Sequence, residues 1–231
     1  MSTARGARAR ARIEVTAAIK DEARRQLAEE GAAKLSLRAV ARELGMVSSA
    51  LYRYFPSRDD LLTALIIDAY DSLGEAAEAA HADVADQALL RRWVVVCEAV
   101  RTWALGHPHE YALIYGTPVP GYTAPETTVP AAARVANLLI GILRDAVRGP
   151  GLAGRPLPPE LGPEARRMAD DLAPDLPPWA ALALVGAWAQ LYGLVGFELF
   201  GQFRNVVEDR ETFFRHSVGQ LAQGVGLLPG K

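Results

Sequence analysis

Apolar residues recur three and four positions apart along almost the whole chain, and this spacing constrains the fold more than any other feature. The first such stripe comprises Val15, Ile19, Ala23 and Leu27. This spacing places apolar side chains on one face of an α-helix, whereas half-buried strands need an alternation that is missing here. The sequence therefore predicts an all-α protein with about nine helices.

Three short helices are predicted near the start of the chain. The first ends at Gly31, and Ser36 is placed to cap the second, which ends at Gly45. The third runs from about Val47 to Tyr54, and Pro56 breaks it. Two short helices joined by a glycine turn are the helix-turn-helix arrangement, which places its second helix in the major groove of DNA.

Charge is unevenly distributed along the chain. Up to Arg58 there are 12 basic and 6 acidic residues, a net charge of +6, which leaves −8 for the remainder because the whole chain carries −2. A basic head on an acidic body orients itself towards a polyanion, although a solvated helix face with an incidental basic tail has the same composition.

Three parts of the chain are expected from these patterns. Residues 1–12, which include Arg5, Arg8, Arg10 and Arg12, are predicted to form a flexible basic arm. Residues 13–58 are predicted to form a three-helix helix-turn-helix DNA-binding domain. Residues 59–231 are predicted to form a larger C-terminal helical bundle, which binds a ligand and dimerises.

The run Leu44–Leu62, LGMVSSALYRYFPSRDDLL, resembles the signature of the TetR family of transcriptional regulators. That signature has a glycine turn, a short helix ending in Leu-Tyr-x-His/Tyr-Phe, and a Ser-Lys/Arg cap followed by acids and leucines. The resemblance extends over about residues 12 to 62, and the regions 107–116 and 188–193 look like one of the family's C-terminal domain types. It implies a cytoplasmic, ligand-released repressor, not an enzyme, that binds double-stranded DNA as a homodimer on a near-palindromic operator.

The resemblance also implies which residues contact DNA. Tyr52 resembles a phosphate-binding tyrosine and Arg58 a phosphate-binding basic residue, while the start of the third helix reads base edges. The predicted DNA contacts are Arg38, Ser48, Ser49, Ala50, Tyr52, Arg53 and Arg58. Arg38 and Arg53 are included for their chemistry, since an arginine reaches a phosphate and Arg53 also a guanine, although exposed arginines also occur without any such contact. The chain departs from the family at Val47, where Ser or Thr usually caps this helix, so either Ser48 caps it one residue later or the helix frays without DNA.

The segment Trp179–Phe197 contains no charged residue and is long enough to span a membrane. Its alanine and glycine content and Gln190 favour burial in a helical bundle instead. Gly186, Ala189, Gly193 and Gly196 fall on roughly one face. Homodimerisation is therefore predicted through two helices, Trp179–Phe203 and Phe213–Leu228, with no membrane partner.

Aromatic residues of the C-terminal part are candidates for an effector site. A cavity lined by aromatic rings with a few hydroxyls suits a mainly apolar small molecule, although the same rings also serve to fill a core. The predicted ligand-binding residues are Trp103, Tyr111, Tyr115, Trp188 and Tyr192.

No cofactor, metal or catalytic residue is expected. The Gly149–Gly154 run matches G-x-G-x-x-G but lacks the strand before it, and His107 and His109 have no further ligands at a metal-site spacing. The single cysteine, Cys97, lies on an apolar helix stripe and excludes an internal disulfide. An all-helical enzyme or small-molecule-binding protein with an incidental basic N-terminus is the alternative, but no acid, base and nucleophile grouping supports the enzyme.

Overall fold

The computed structural model describes residues 2–154 and 156–228, with side chains from residue 6 onward, and this part of the chain contains helices and no β-strand. The all-α prediction is confirmed. The α-helices are α1 Ser2–Glu30, α2 Leu37–Glu43, α3 Ser48–Leu51, α4 Arg58–Ala82, α5 Leu89–Gly106, α6 Pro108–Tyr115, α7 Val129–Ala132, α8 Arg134–Arg148, α9 Gly162–Leu172, α10 Pro178–Leu199 and α11 Arg210–Gly224. This part of the chain has eleven α-helices where about nine were predicted, and the shortest are α3 and α7 with four residues each.

The helices form two compact units. The first contains the chain up to Tyr70 together with His107–Val129, and the second contains Asp71–Gly106 and the chain from Pro130 onward. The first unit extends beyond the predicted limit at residue 58. Its core explains why, since Leu61, Leu62 and Leu65 of α4 are buried with the apolar stripes of α1 and α2.

Residues 2–12, expected as a flexible arm, form about the first three turns of α1 in the structure. Alanine and arginine dominate this segment, and both are strong helix formers, which accounts for the helical conformation. Whether the segment is flexible or contacts DNA stays a prediction, and the side chain of Arg5 lies outside the described residues.

The first unit has an apolar core built from the helix faces that the sequence pattern indicated. Ile19 and Ala23 of α1, Val40 of α2 and Leu51 of α3 are fully buried there. Gly31 ends α1 with a φ of 81°, a conformation that glycine adopts without steric cost. This core holds α2 against the much longer α1, and α3 packs against α2.

In the second unit α5 packs against α8, α10 and α11, and α9 packs against α10. Trp93, Val96 and Val100 form the buried stripe of α5, and Cys97 lies beside them. Burial raises the pKa of the Cys97 thiol, so Cys97 behaves as a small apolar side chain. Within the described residues, α10 is the one helix long and apolar enough to cross a membrane, with a mean hydropathy of 1.6.

Candidate nucleic-acid interface

Helices α2 and α3 are joined by a tight turn centred on Gly45. The hydroxyl of Ser36 accepts a hydrogen bond from the Ala39 N–H at 3.4 Å, which caps α2 as predicted. Gly45 has a φ of 63°, and the Met46 N–H donates to the carbonyl of Ala41 at 2.8 Å, closing the C-terminus of α2. This is the geometry of a helix-turn-helix.

The start of α3 answers the question raised by Val47. Val47 is the N-cap residue with extended backbone (φ −70°, ψ 137°), and no side-chain hydrogen bond caps the helix. The helix therefore begins at Ser48 without a shift to a later cap. It ends at Leu51, short of the predicted Tyr54, and the chain continues to Phe55 in tight hydrogen-bonded turns.

The side chains expected to read DNA lie on the outside of this motif. Ser48 and Ser49 are exposed at the start of α3, and Ala50 is half-buried. Tyr52 is 42% exposed immediately after the buried Leu51. The structure thus places hydroxyl groups and one aromatic ring where a groove could receive them, and their contacts with DNA stay predictions.

Arg12 of α1 contacts the end of the α3 segment. Its guanidinium carbon lies 5.2 Å from the centre of the Tyr54 ring, and its Nη2 lies 3.5 Å from the carbonyl oxygen of Arg53, to which it donates. The sequence pattern places Arg12 in the arm, and this contact between distant segments has no signature in the spacing.

Several cations of the basic head are paired with carboxylates. Lys20 lies 2.8 Å from Asp68, and Arg24 lies 2.7 Å from Asp21 and 2.7 Å from Asp68. Arg25 binds Glu22, and this hydrogen bond holds the pKa of the Glu22 carboxyl below its ordinary value. The two pairs with Asp68 join α1 to α4, and all of these pairs reduce the charge available to a polyanion.

Other cations of the first unit are exposed and have no ion pair among the described side chains. They are Arg8, Arg10, Arg12, Lys34, Arg38 and Arg53. Arg38 is on α2 and Arg53 follows α3, so both belong to the helix-turn-helix itself. An unpaired exposed cation is free to approach a phosphate, and the useful positive charge therefore lies on this motif and along the start of α1.

Arg58 is placed differently from the other predicted DNA contacts. Its guanidinium donates to the backbone carbonyls of Ala32, Ala33 and Leu35, and its side chain is 29% exposed. Its predicted phosphate contact is not tested by this geometry, but most of its donors already have acceptors within the protein.

Comparison with known proteins identifies this arrangement. Residues 19–65 match the model of the bacterial regulatory proteins of the tetR family, and residues 93–221 match the tetracyclin repressor-like C-terminal domain. The chain belongs to the TetR family. It is therefore a DNA-binding transcriptional regulator, in a family of regulators rather than enzymes.

Relatives of the whole TetR chain support the same assignment. The HTH-type transcriptional regulator Rv1816 of Mycobacterium tuberculosis is 38% identical over 216 residues, which cover 86% of this chain and 86% of that protein. The crystal structure of the regulatory protein SCO4313 is 36% identical with a TM-score of 0.74, covering 93% of this chain and 98% of that one. RolR, crystallised with resorcinol, shares the fold at 15% identity and a TM-score of 0.54, covering 96% of this chain and 98% of that one.

The predicted effector residues of this TetR protein fall in different units. In the first unit Tyr111 and Tyr115 lie on α6 with ring centres 5.3 Å apart, and Tyr115 meets Tyr70 edge to face. In the second unit Trp103 donates to the hydroxyl of Ser72 at 2.9 Å. Trp188 and Tyr192 of α10 pack edge to face, with Trp188 41% exposed and Tyr192 buried. Their role in binding an effector stays a prediction.

A surface groove lies between α10 and α11, and the sequence predicted only part of its lining. Its volume is about 770 Å³, and apolar side chains and glycines line most of it. Phe197, Phe203 and Phe213 form a chain of edge-to-face rings at one end. The glycine face of α10 was visible in the sequence, whereas the aromatic end depends on the turn after Leu199 and was missed.

Proposed function

We propose that this TetR-family regulator represses transcription by binding a near-palindromic operator as a homodimer, and that a mainly apolar small molecule releases it. The observation that carries the proposal is the exposed polar face of the helix-turn-helix, flanked by unpaired arginines. A protein of this kind acts in the cytoplasm, where its DNA is.

The roles of the exposed side chains follow from their chemistry. Ser48 and Ser49 offer hydroxyls that donate to or accept from base edges, and the methyl group of Ala50 suits contact with a thymine methyl. Tyr52 offers its hydroxyl to a phosphate. Arg38 and Arg53 supply phosphate contacts, and Arg53 is also within the segment that can reach a guanine.

The electrostatic part of this proposal can be tested without knowing the operator. We expect Arg38→Gln and Arg53→Gln each to weaken binding to a random-sequence duplex. Each should also reduce the slope of log affinity against log salt by about 0.9 for every phosphate that the variant no longer neutralises. Fluorescence anisotropy titrations at several salt concentrations measure both quantities.

Arg167→Gln provides the matched control for these titrations. Arg167 is exposed on α9 and paired with Glu164 and Asp171, so its replacement should leave the slope as it is. Equal slopes in the wild type and all three variants would remove Arg38 and Arg53 from the interface.

The dimer is proposed to form through α10 and α11, as the sequence predicted. Only 39% of the apolar window of α10 is buried in the single chain, and Phe197 is 55% exposed beside the groove. A Cβ added at Gly186 or Gly193 would meet nothing within 4 Å, so this face is open to the close approach of another helix. A second copy of the same pair of helices would cover the apolar surface and form a four-helix interface across a two-fold axis.

Release by an effector is proposed to involve the aromatic residues of α5, α6 and α10. RolR shows that a protein of this fold binds a small aromatic molecule, resorcinol. At 15% identity the comparison supports only the shared fold. A coupling of about 1–3 kcal/mol between effector and DNA would change DNA affinity some 5–150-fold.

Variants of the aromatic residues test the effector site. A ligand is first found by thermal-shift screening, and DNA binding is then measured with and without it in Trp103→Leu and Tyr192→Leu. We expect the ligand response to fall while DNA affinity stays. A full response in both variants would place the effector site elsewhere.

A further inference from the structure

Arg58, the first residue of α4, holds the segment that connects α1 to α2. Its Nε–H donates to the carbonyl of Leu35 at 3.1 Å, and its Nη2 donates to the carbonyls of Ala32 at 2.8 Å and Ala33 at 3.2 Å. The remaining nitrogen, Nη1, lies 3.7 Å from a carboxylate oxygen of Asp59. Three of about five guanidinium N–H donors are therefore used on backbone carbonyls.

We propose that Arg58 is a positioning residue, which fixes the helix-turn-helix in its DNA-binding arrangement and does not itself bind a phosphate. This inference rests on the DNA-binding function proposed above. It replaces the role that the family resemblance implied for this residue.

The position of these contacts along the chain supports the proposal. Leu35 directly precedes the cap of α2, and Arg58 opens α4 directly after the segment that carries α3. The guanidinium thus joins the two ends of the segment that contains α2, the turn and α3. A link across these ends limits how far α3, the proposed recognition helix, can move relative to α1.

The recognition helix needs such support because its own stability is low. Helix α3 is a single turn, and Val47 gives it no side-chain cap. A helix of this length is not stable alone, so its orientation depends on the burial of Leu51 and Phe55 and on how its flanking segments are held.

Arginine is the side chain that can make this link. Its planar group has donors on three nitrogens, and two of them, Nε and Nη2, here reach carbonyls in three residues at once. The carbonyls follow the C-terminus of α1, where a cation is favoured by the helix dipole. Lysine would keep the charge but has one nitrogen and cannot span the same acceptors.

Hydrogen exchange in the DNA-free protein tests this role directly. In Arg58→Lys we expect amides of Ala50–Phe55 and of Lys34 and Leu35 to exchange about tenfold faster, the ratio that corresponds to a decrease of about 1.4 kcal/mol in local stability. Arg166→Lys is the matched control, because Arg166 of α9 is exposed without an ion pair among the described side chains and should leave these rates unchanged. Unchanged exchange in Arg58→Lys would overturn the proposal.

The salt dependence of DNA binding separates positioning from phosphate contact. We expect Arg58→Lys and Arg58→Gln to weaken binding to a random-sequence duplex by a similar factor, about tenfold, with the salt slope unchanged. A phosphate contact would instead be rescued by lysine, and glutamine would reduce the slope by about 0.9 per protomer. That second pattern would overturn the proposal. If the wild-type protein binds no duplex, the proposed function fails while the exchange rates still decide the role of Arg58.

Discussion

Gly226 follows α11 with a φ of 90° and fits closely between two other segments of the second unit. A Cβ added there would lie 2.6 Å from the Trp179 ring and 3.0 Å from the carbonyl oxygen of Ala153. The Ala153 N–H also donates to the carbonyl of Gly226 at 2.8 Å, so the backbone has little room to shift. The hydrogen bond from Ala153 also fixes the Gly149–Gly154 run to the segment that follows α11.

We expect Gly226→Ala to lower the free energy of unfolding by about 1–3 kcal/mol, because it adds both a left-handed backbone conformation and a steric clash. Denaturant unfolding of the purified protein measures the change. Gly224→Ala serves as the control, since a Cβ at Gly224 meets nothing within 4 Å. Equal losses in the two variants would show that the contact with Trp179 is unimportant.

His81, near the end of α4, must be neutral to make its contact in the second unit. Its Nε2 accepts a hydrogen bond from Arg92 of α5 at 3.1 Å, and Arg92 also lies 2.8 Å from Asp145 of α8. Burial, and then the charge of Arg92, lower the pKa of His81 below its ordinary value of 6.5, although Asp145 opposes the shift. Protonation would place two cations at a hydrogen-bond distance.

The protein should therefore lose stability as the pH falls from about 6.5 towards 5, because the unfolded chain binds this proton more readily than the folded one. Well above pH 6.5 the imidazole is neutral in both states and contributes no pH dependence. We expect His81→Gln to lose less in Tm than the wild type over this interval. Identical losses would show that His81 has no part in the acid response.

At the scale of the helices, the long periodic elements were predictable and the details of the short ones were not. Helix α10 was predictable from its long run without charged residues. Helix α3 is shorter than predicted because the chain after Leu51 tightens into turns, in which the N–H groups of Arg53 and Tyr54 donate to carbonyls three residues earlier. Residues 2–12 are helical in the structure, and their alanine and arginine content favours that conformation.

The contact partners of the charged side chains could not be predicted from the sequence. Arg58 donates to backbone carbonyls. Because every residue has a backbone carbonyl, the residue types in the sequence do not indicate which ones accept these hydrogen bonds. Lys20 and Asp68 pair across 48 positions, a relation that only the packing of α1 against α4 creates. The predicted DNA-contact residues come from one local motif. The predicted effector residues come from three separate helices, and the sequence does not show how those helices pack.

The start of α3 offers a prediction for this element. Val47 is 69% exposed and occupies the cap position, so Val47→Ser should add a hydrogen-bond acceptor for the first turn without loss of core packing. We expect a gain of about 0.5–2 kcal/mol in the local stability of α3, seen as slower amide exchange of Leu51 and Tyr52. Val206→Ser, at an exposed valine outside a helix start, should give no such gain. Faster or unchanged exchange in Val47→Ser would argue against a missing cap.

At the scale of the whole molecule, the proposed dimer can be tested at a position where a larger side chain would meet no atom of the same chain. Gly193→Leu should weaken self-association because its side chain would enter the α10–α11 face, while the monomer has open space there. Sedimentation at micromolar concentration measures the shift towards monomer. Gly141→Leu on α8, also open in the single chain, is the matched control. A monomeric wild type, or a fully dimeric Gly193→Leu, would rule out this interface.

The basic head up to Arg58 and the acidic remainder of the chain differ in net charge, and this difference favours approach to DNA by the head. The head carries the exposed arginines of the helix-turn-helix, and the rest of the chain carries net negative charge. A polyanion attracts the first and repels the second, so the overall pI of about 6.1 does not argue against DNA binding.

Selection of bound DNA fragments by the purified full-length protein tests the central claim most directly. Two recognition helices related by a two-fold axis should enrich fragments that share a near-palindromic sequence, with half-site centres roughly 34–36 Å apart or moderately further. Enrichment of such a sequence at physiological salt is the predicted result. Recovery of no common sequence, or of a single half-site bound by one protomer, would contradict the account.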